Sequence, residues 1–160
     1  KGLERLVYIY NKFPNLKKVS IVLTRNSKIA PWINKNVPNH TSKFNLTRDK
    51  IHETIHSYRG DISLMTSRYE GFSLSLIETM SQGLIPIAFP VGIAPEIIVN
   101  GKNGYLVNTT QEAVSRINEI LNDDELRKKL SIGAYKTSLQ FKADILAEKL
   151  VTLYKTILNK

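Results

Sequence analysis

Five short runs rich in β-branched and aliphatic residues punctuate the chain: Val19–Leu23, Thr41–Leu46, Asp61–Thr66, Ile85–Phe89 and Tyr105–Val107. Between them lie stretches too long for hairpin turns, and most carry helical spacing. Strands joined by helical crossovers pair in parallel, and their sheet is then covered by helices on both faces. The expected fold is therefore α/β, a doubly wound parallel sheet.

The intervening segments refine this reading. Leu3, Leu6, Val7, Ile9, Tyr10 and Phe13 recur at helical spacing until Pro14 and Asn15 stop them. Residues 25–40 hold two prolines and several asparagines, which predicts a loop with room for one turn of helix. Thr47 suits the N-cap of a helix over Arg48–Ser57, with Asp49 favourable in its first turn. Further helices are expected over Ser73–Ser81, closed by Gly83, and from Pro95 to Val99. Asn100–Gly104 reads as a turn. Gln111–Leu121, Asp124–Gln140 (interrupted near Gly133) and Ala143–Leu158 complete the helical set. A domain of this kind opens with a strand, whereas Lys1-Gly2-Leu3 leads straight into a helix without Met. The expectation is one domain, residues 1–160, cut from a longer protein whose first strand precedes it.

Composition narrows the function. The 160 residues suffice for one core, and no apolar run approaches the roughly 18 residues of a membrane span. The absence of cysteine excludes disulfides and thiol chemistry, and with no secretory signal the expected location is cytoplasmic. Residues 1–50 carry eleven Lys and Arg against Glu4 and Asp49, and residues 51–160 carry twelve of each sign, so the whole excess of +9 lies in the first third. Such a patch suits a nucleoside diphosphate, nucleic acid or an anionic membrane surface. A solvated face is the plain alternative.

The chemistry concentrates in Ser67-Arg-Tyr-Glu-Gly-Phe-Ser-Leu-Ser-Leu-Ile-Glu-Thr-Met-Ser-Gln-Gly83, which leaves a strand and enters a helix. In parallel sheets ligands bind beyond the carboxyl ends of strands. Gly71 allows close backbone approach, and Ser73 can cap the helix. The free N–H groups and positive end of that helix suit phosphate. Glu70 precedes the anion site, and Glu78 sits one and a half turns along, where a carboxylate accepts bonds from adjacent hydroxyls such as those of ribose.

This pattern resembles the Glu-x7-Glu motif of family 4 retaining glycosyltransferases. The likeness continues through Gly83-Leu-Ile-Pro86, Val91-Gly-Ile-Ala-Pro-Glu-Ile-Ile98 and Gly101-Lys-Asn-Gly-Tyr-Leu-Val107. It implies the Rossmann-like C-terminal half of a two-domain GT-B enzyme, which transfers sugar from a nucleoside diphosphate sugar to a glycan or lipid-linked acceptor. By resemblance, Glu70 contacts the donor sugar and supports charge at the anomeric centre. The amides of Phe72, Ser73 and Leu74, beside Gly71, hold sugar and diphosphate oxygens, and Glu78 holds the ribose. Lys1 becomes the diphosphate-binding lysine, with an Arg partner upstream, and the base lies near Phe44–Leu46. No metal or other cofactor is expected. The implied partners are the donor, a missing N-terminal acceptor domain, and a lipid-linked acceptor or membrane surface at the inner face; nucleic acid is not among them. Two positions depart from the pattern: Thr24-Arg25-Asn26 replaces a Gly-rich turn, and Gly92-Ile93 stands where Gly-Gly is common.

One competing motif is present. His52-Glu53-Thr54-Ile55-His56 matches the His-Glu-x-x-His zinc signature. Its metzincin continuation would need Gly at 59 and His at 62, where Arg59 and Ile62 stand. An ordinary surface helix is the stronger reading, and it should lie side by side and parallel with the helix at Ser73–Ser81. A non-catalytic binding or signalling domain is the other alternative, but residues 24–30 lack the acidic cluster a receiver needs. Trp32 and Tyr58 read as packing residues, and Glu96 as a first-turn residue of its helix.

Overall fold

All pairing is parallel in the computed structural model, which describes residues 2–22, 29–44 and 46–158. Strand β1 (Lys18–Val22) pairs with β2 (His40–Phe44), and β4 (Ile85–Ala88) lies between β3 (Ile62–Met65) and β5 (Tyr105–Leu106). The helices are α1 (Leu3–Asn11), α2 (Ile29–Asn36), α3 (Arg48–His56), α4 (Leu74–Ser81), α5 (Ala94–Ile97), α6 (Thr110–Leu121), α7 (Asp124–Ser138) and α8 (Ala143–Leu158). A 3-10 turn over Leu139–Phe141 joins the last two. Every strand lies close to its expected position. Among the described residues, however, the strands form two ladders rather than one continuous sheet.

Strand β4 shows why its sequence is apolar throughout. Its side chains alternate between faces, and both faces are covered. Ile85 and Ile87 enter a cluster with Ile9 of α1, Ala113, Ile117 and Ile120 of α6, and Leu130 of α7. Ala88 enters the opposite cluster with Leu76 and Met80 of α4 and Ile97 of α5. The three-stranded ladder is thus sandwiched, and the helices on its two faces fix where their amino ends emerge.

Three local expectations need correction. Residues 29–36 form two turns of helix where a loop with one turn was predicted. Pro31 lies in the first turn, where its missing N–H costs no hydrogen bond, and Ile33 and Val37 are buried. Helix α7 runs unbroken through Gly133, because that glycine serves packing: a Cβ there would run into the Lys102 carbonyl. Helix α6 starts a residue early, since Thr109 and Glu112 form a capping box. The closure of α4 is as expected, with the Gly83 N–H donating to Met80 O at 2.9 Å and a left-handed Gly83.

Candidate functional site

The carboxyl ends of β3 and β4 point the same way, and the loops leaving them meet. Glu70 is half-buried in the loop after β3, and its Oε1 accepts from Ser67 Oγ at 2.6 Å. The loop after β4 closes against it. The Ile93 N–H donates to Phe72 O at 3.1 Å, and a Cβ on Gly92 (φ +57) would meet that same oxygen at 3.0 Å and Glu70 Cβ at 3.2 Å. Glycine is therefore required at 92. Ile93, at the departure from Gly-Gly, is buried in the cluster beneath α4 and α5 and anchors the loop by packing.

Helix α1 brings its amino end to the same place. Gly2 is left-handed at φ +72, and a Cβ there would run into the Thr66 carbonyl, so the start of α1 presses on the end of β3. Arg68, in the Glu70 loop, donates from Nε and Nη2 to Glu4 Oε1 at 2.7 and 2.6 Å. Hydrogen bonds from Glu4's own backbone amide and from Arg68 hold the Glu4 carboxyl below the usual carboxylate range. The Arg5 guanidinium lies 4.0 Å from the Phe89 ring centroid, over the residue that follows β4. Nothing in the sequence distinguishes Arg5 from the other exposed-helix cations. Lys1 itself, Thr24-Arg25-Asn26 and Asn45 lie outside the described residues.

The remaining residues of the motif sit on or before α4. Gly71 is exposed with nothing within 4 Å of a Cβ position, so packing does not explain its glycine. Phe72 is partly exposed and meets Phe141 edge-on, centroids 6.4 Å apart. Leu74 is exposed. Ser73 occupies the N-cap position of α4, but its side chain makes no cap bond. Its backbone is left-handed, φ 77 and ψ 62, whereas a capping hydroxyl needs the extended backbone that aims it at the second or third amide. Glu78 lines a cleft with Ile77, Ser81, Tyr135, Ser138 and Lys142. Phe141 also lines that cleft, so its contact with Phe72 joins the cleft to the Glu70 loop. Neither Glu70 nor Glu78 has an ion pair among the described residues.

The other candidates disperse. His52 and His56 are exposed on α3, and His56 Nδ1 bonds Gln82 Oε1 at 3.0 Å, which links the carboxyl ends of α3 and α4 as parallel neighbours. Among the described residues no cluster of three His, Cys, Asp or Glu includes them. Trp32 is 47% exposed and is not the packing residue expected, since it lies on the outer face of α2 while Ile33 beside it takes the buried face. Tyr58 lies beneath Lys43 Nζ, 5.7 Å from its centroid. Tyr69 is 85% exposed. Glu96 stands exposed in the first turn of α5.

Known proteins resemble this chain in both sequence and fold. Residues 32–137 match the family model of glycosyl transferases group 1. The N-acetyl-alpha-D-glucosaminyl L-malate synthase of Bacillus anthracis is 35% identical over 100 residues, 61% of this chain and 25% of that protein. An uncharacterized glycosyltransferase of Methanocaldococcus jannaschii is 32% identical over 109 residues, 66% of this chain and 31% of that protein. The chain thus spans a quarter to a third of these relatives. A sucrose-phosphate synthase structure from Thermosynechococcus elongatus superposes with a TM-score of 0.83 at 21% identity, covering 99% of this chain and 43% of the other. The C-terminal domain of a group 1 glycosyl transferase from Francisella tularensis gives a TM-score of 0.69 at 24% identity, over 88% of this chain and 77% of the other. The fold is that of the C-terminal half of a GT-B enzyme, and the chain belongs to the glycosyl transferases group 1 family.

Proposed function

We propose that this chain is the donor-binding domain of a retaining glycosyltransferase and holds a nucleoside diphosphate sugar at the amino end of α4. The observation that carries the reading is the Glu70 loop: its carboxylate accepts from Ser67 at 2.6 Å, and the backbone after it is held by the loop after β4, directly before α4. The diphosphate lies on the amides of Phe72, Ser73 and Leu74, where free N–H groups and the helix dipole favour anions. Glu70 faces the sugar and Glu78 the ribose. Lys1, next to the Gly2 that presses on Thr66, adds a cation for the departing diphosphate, and electrostatic stabilisation of that group then needs no metal. Transfer retains configuration by a front-face route.

The acceptor side belongs to an N-terminal half preceding this chain. One feature supports that. Helix α8 buries none of its residues and exposes Leu146, Leu150, Leu153, Tyr154 and Ile157. No described helix is long and apolar enough to cross a membrane; the basic first third would serve a lipid-linked acceptor or a membrane surface at its cytoplasmic face.

Calorimetric titration with UDP, GDP and ADP tests the reading. One of them binds saturably, and Glu78→Ala weakens it about tenfold, the worth of a charge-assisted hydrogen bond. Glu70→Gln leaves nucleotide affinity unchanged but removes the gain from the attached sugar. The chain alone transfers no sugar at a useful rate. Absence of nucleotide binding, or full affinity in Glu78→Ala, defeats the proposal.

A further inference from the structure

Helices α1 and α2 lie side by side on one face of the β1–β2 ladder. His40 and Ser42, two residues apart on β2, project to that face. His40 Nδ1 bonds Asn34 Oδ1 of α2 at 2.6 Å, and Ser42 Oγ donates to the same oxygen at 3.1 Å. The His40 ring also meets the Tyr10 ring of α1, centroids 5.9 Å apart. The turns that follow the two helices are tied together, since Asn39 Nδ2 donates to Pro14 O at 2.8 Å.

The outer side of this helix pair combines apolar and cationic groups. Tyr8 of α1 is 40% exposed, Leu16 in the turn after it 37%, and Trp32 of α2 47%. Lys12, Lys17 and Lys35 stand exposed with them, and Lys12 Nζ lies 5.2 Å from the Tyr8 ring centroid. Among the described residues none of these lysines forms an ion pair with a carboxylate. Helix α2 carries no acidic residue, and Glu4, the one on α1, is taken by Arg68. A single exposed apolar residue is ordinary, but here three large ones accompany three lysines without carboxylate partners.

We propose that this α1–α2 face docks on an anionic phospholipid membrane. Tryptophan and tyrosine settle at the boundary of water and acyl chains, ring body in lipid and polar edge wet. Lysines beside them reach acidic headgroups while their stems cover apolar surface. An acidic protein would answer the lysines but would leave Tyr8, Leu16 and Trp32 against charged groups. The inference deepens the membrane reading given above by naming the face, and it rests on that reading for its purpose. Glu4 of α1 bonds Arg68 of the Glu70 loop, so docking sets the proposed donor site beside a membrane-borne acceptor.

Trp32 is the chain's single tryptophan, so its fluorescence reports on this face alone. The chain is mixed with vesicles of phosphatidylglycerol and phosphatidylcholine in equal parts, and with vesicles of phosphatidylcholine alone. Cosedimentation is expected only with the acidic vesicles and should weaken at high salt. Trp32 emission should move to the blue and be quenched by brominated acyl chains. Lys12→Gln and Lys35→Gln should each lower partition about fivefold, the worth of one cation near an anionic surface. Trp32→Ala, read by sedimentation, should lower it about tenfold. All three positions are exposed, so circular dichroism should show the fold unchanged. Failure to bind acidic vesicles overturns the proposal. So does binding with Trp32 emission unmoved, which assigns the contact to another surface such as α8. An equal blue shift with soluble polyglutamate also overturns it, because the partner is then an acidic protein. Nucleotide titration without vesicles tests the donor-binding reading separately, so either can fail while the other stands.

Discussion

Lys18 carries a charge into the start of β1, where it is 6% exposed. Its Nζ donates to Leu16 O and Pro38 O, both at 2.9 Å, and burial pulls its pKa below the ordinary lysine value. A depressed folded-state pKa gives a contribution to stability that is present above the unfolded value and lost as pH falls, so the ammonium is a cost at neutral pH. The two carbonyls offset it. Lys18→Met should leave both without a donor and destabilise the fold by about 1–3 kcal/mol in urea titration, with nucleotide affinity unchanged. An unaltered midpoint would contradict this. The charge count could not separate Lys18 from Lys17: in the sequence both belong to the basic first third, and only burial shows that one is structural. Ser73 has the same lesson. Its type suggested a helix cap, and its φ made that impossible. Glu70 and Gly71, by contrast, stand in the loop after β3 and Glu78 on α4, where residue type and order put them.

At the scale of elements, the turn between α5 and β5 shows what the Asn-Gly-Tyr-Leu run does. Asn103 accepts from the Val99 N–H at 2.7 Å and donates to Ile97 O and Thr137 Oγ1, both at 2.8 Å. It ties the turn to α7, whose Gly133 lies against Lys102. Asn103→Ala should cost about 2–3 kcal/mol, from buried groups left unpaired, and it should spare the nucleotide site. Equal chemical-denaturation midpoints would refute it. A pH effect belongs to α6. Glu119 accepts from Arg116 at 2.7 Å and from Tyr105 OH at 2.8 Å, and these bonds, Arg116 foremost, hold its carboxyl below the usual range. Its contribution to stability is therefore present above the ordinary glutamate pKa and is lost as pH falls through the depressed value. The melting-temperature gap between wild type and Glu119→Gln should close on acidification; a gap that widens would contradict the sign. Strand β4 was readable because its apolar run demands burial on both sides, as found, whereas β2 with Thr41 exposed and Lys43 half-buried carries a weaker signal. Helix α2 was not, because a proline in a first turn looks the same in sequence as one in a loop.

Across the whole molecule, the parallel pairing was implied by strand and helix alternation, and it places the proposed site beyond the carboxyl ends of the strands. What the sequence could not supply was the meeting of distant segments: Gly2 against Thr66, Glu4 with Arg68, and Arg5 over Phe89. Those contacts bring the start of α1 to the loop before α4, about sixty residues on, and no local pattern encodes such pairs. In the proposed function a nucleoside diphosphate binds where these two helix ends converge. Amide chemical-shift mapping of the labelled chain, titrated with the diphosphate that binds, tests it directly. The largest shifts are expected at Phe72, Ser73 and Leu74, with smaller ones at Gly2 and Gly92. Saturable shifts centred on α3 around His52 and His56, or on the Arg59 and Arg127 cleft at the other end of β3, would contradict it.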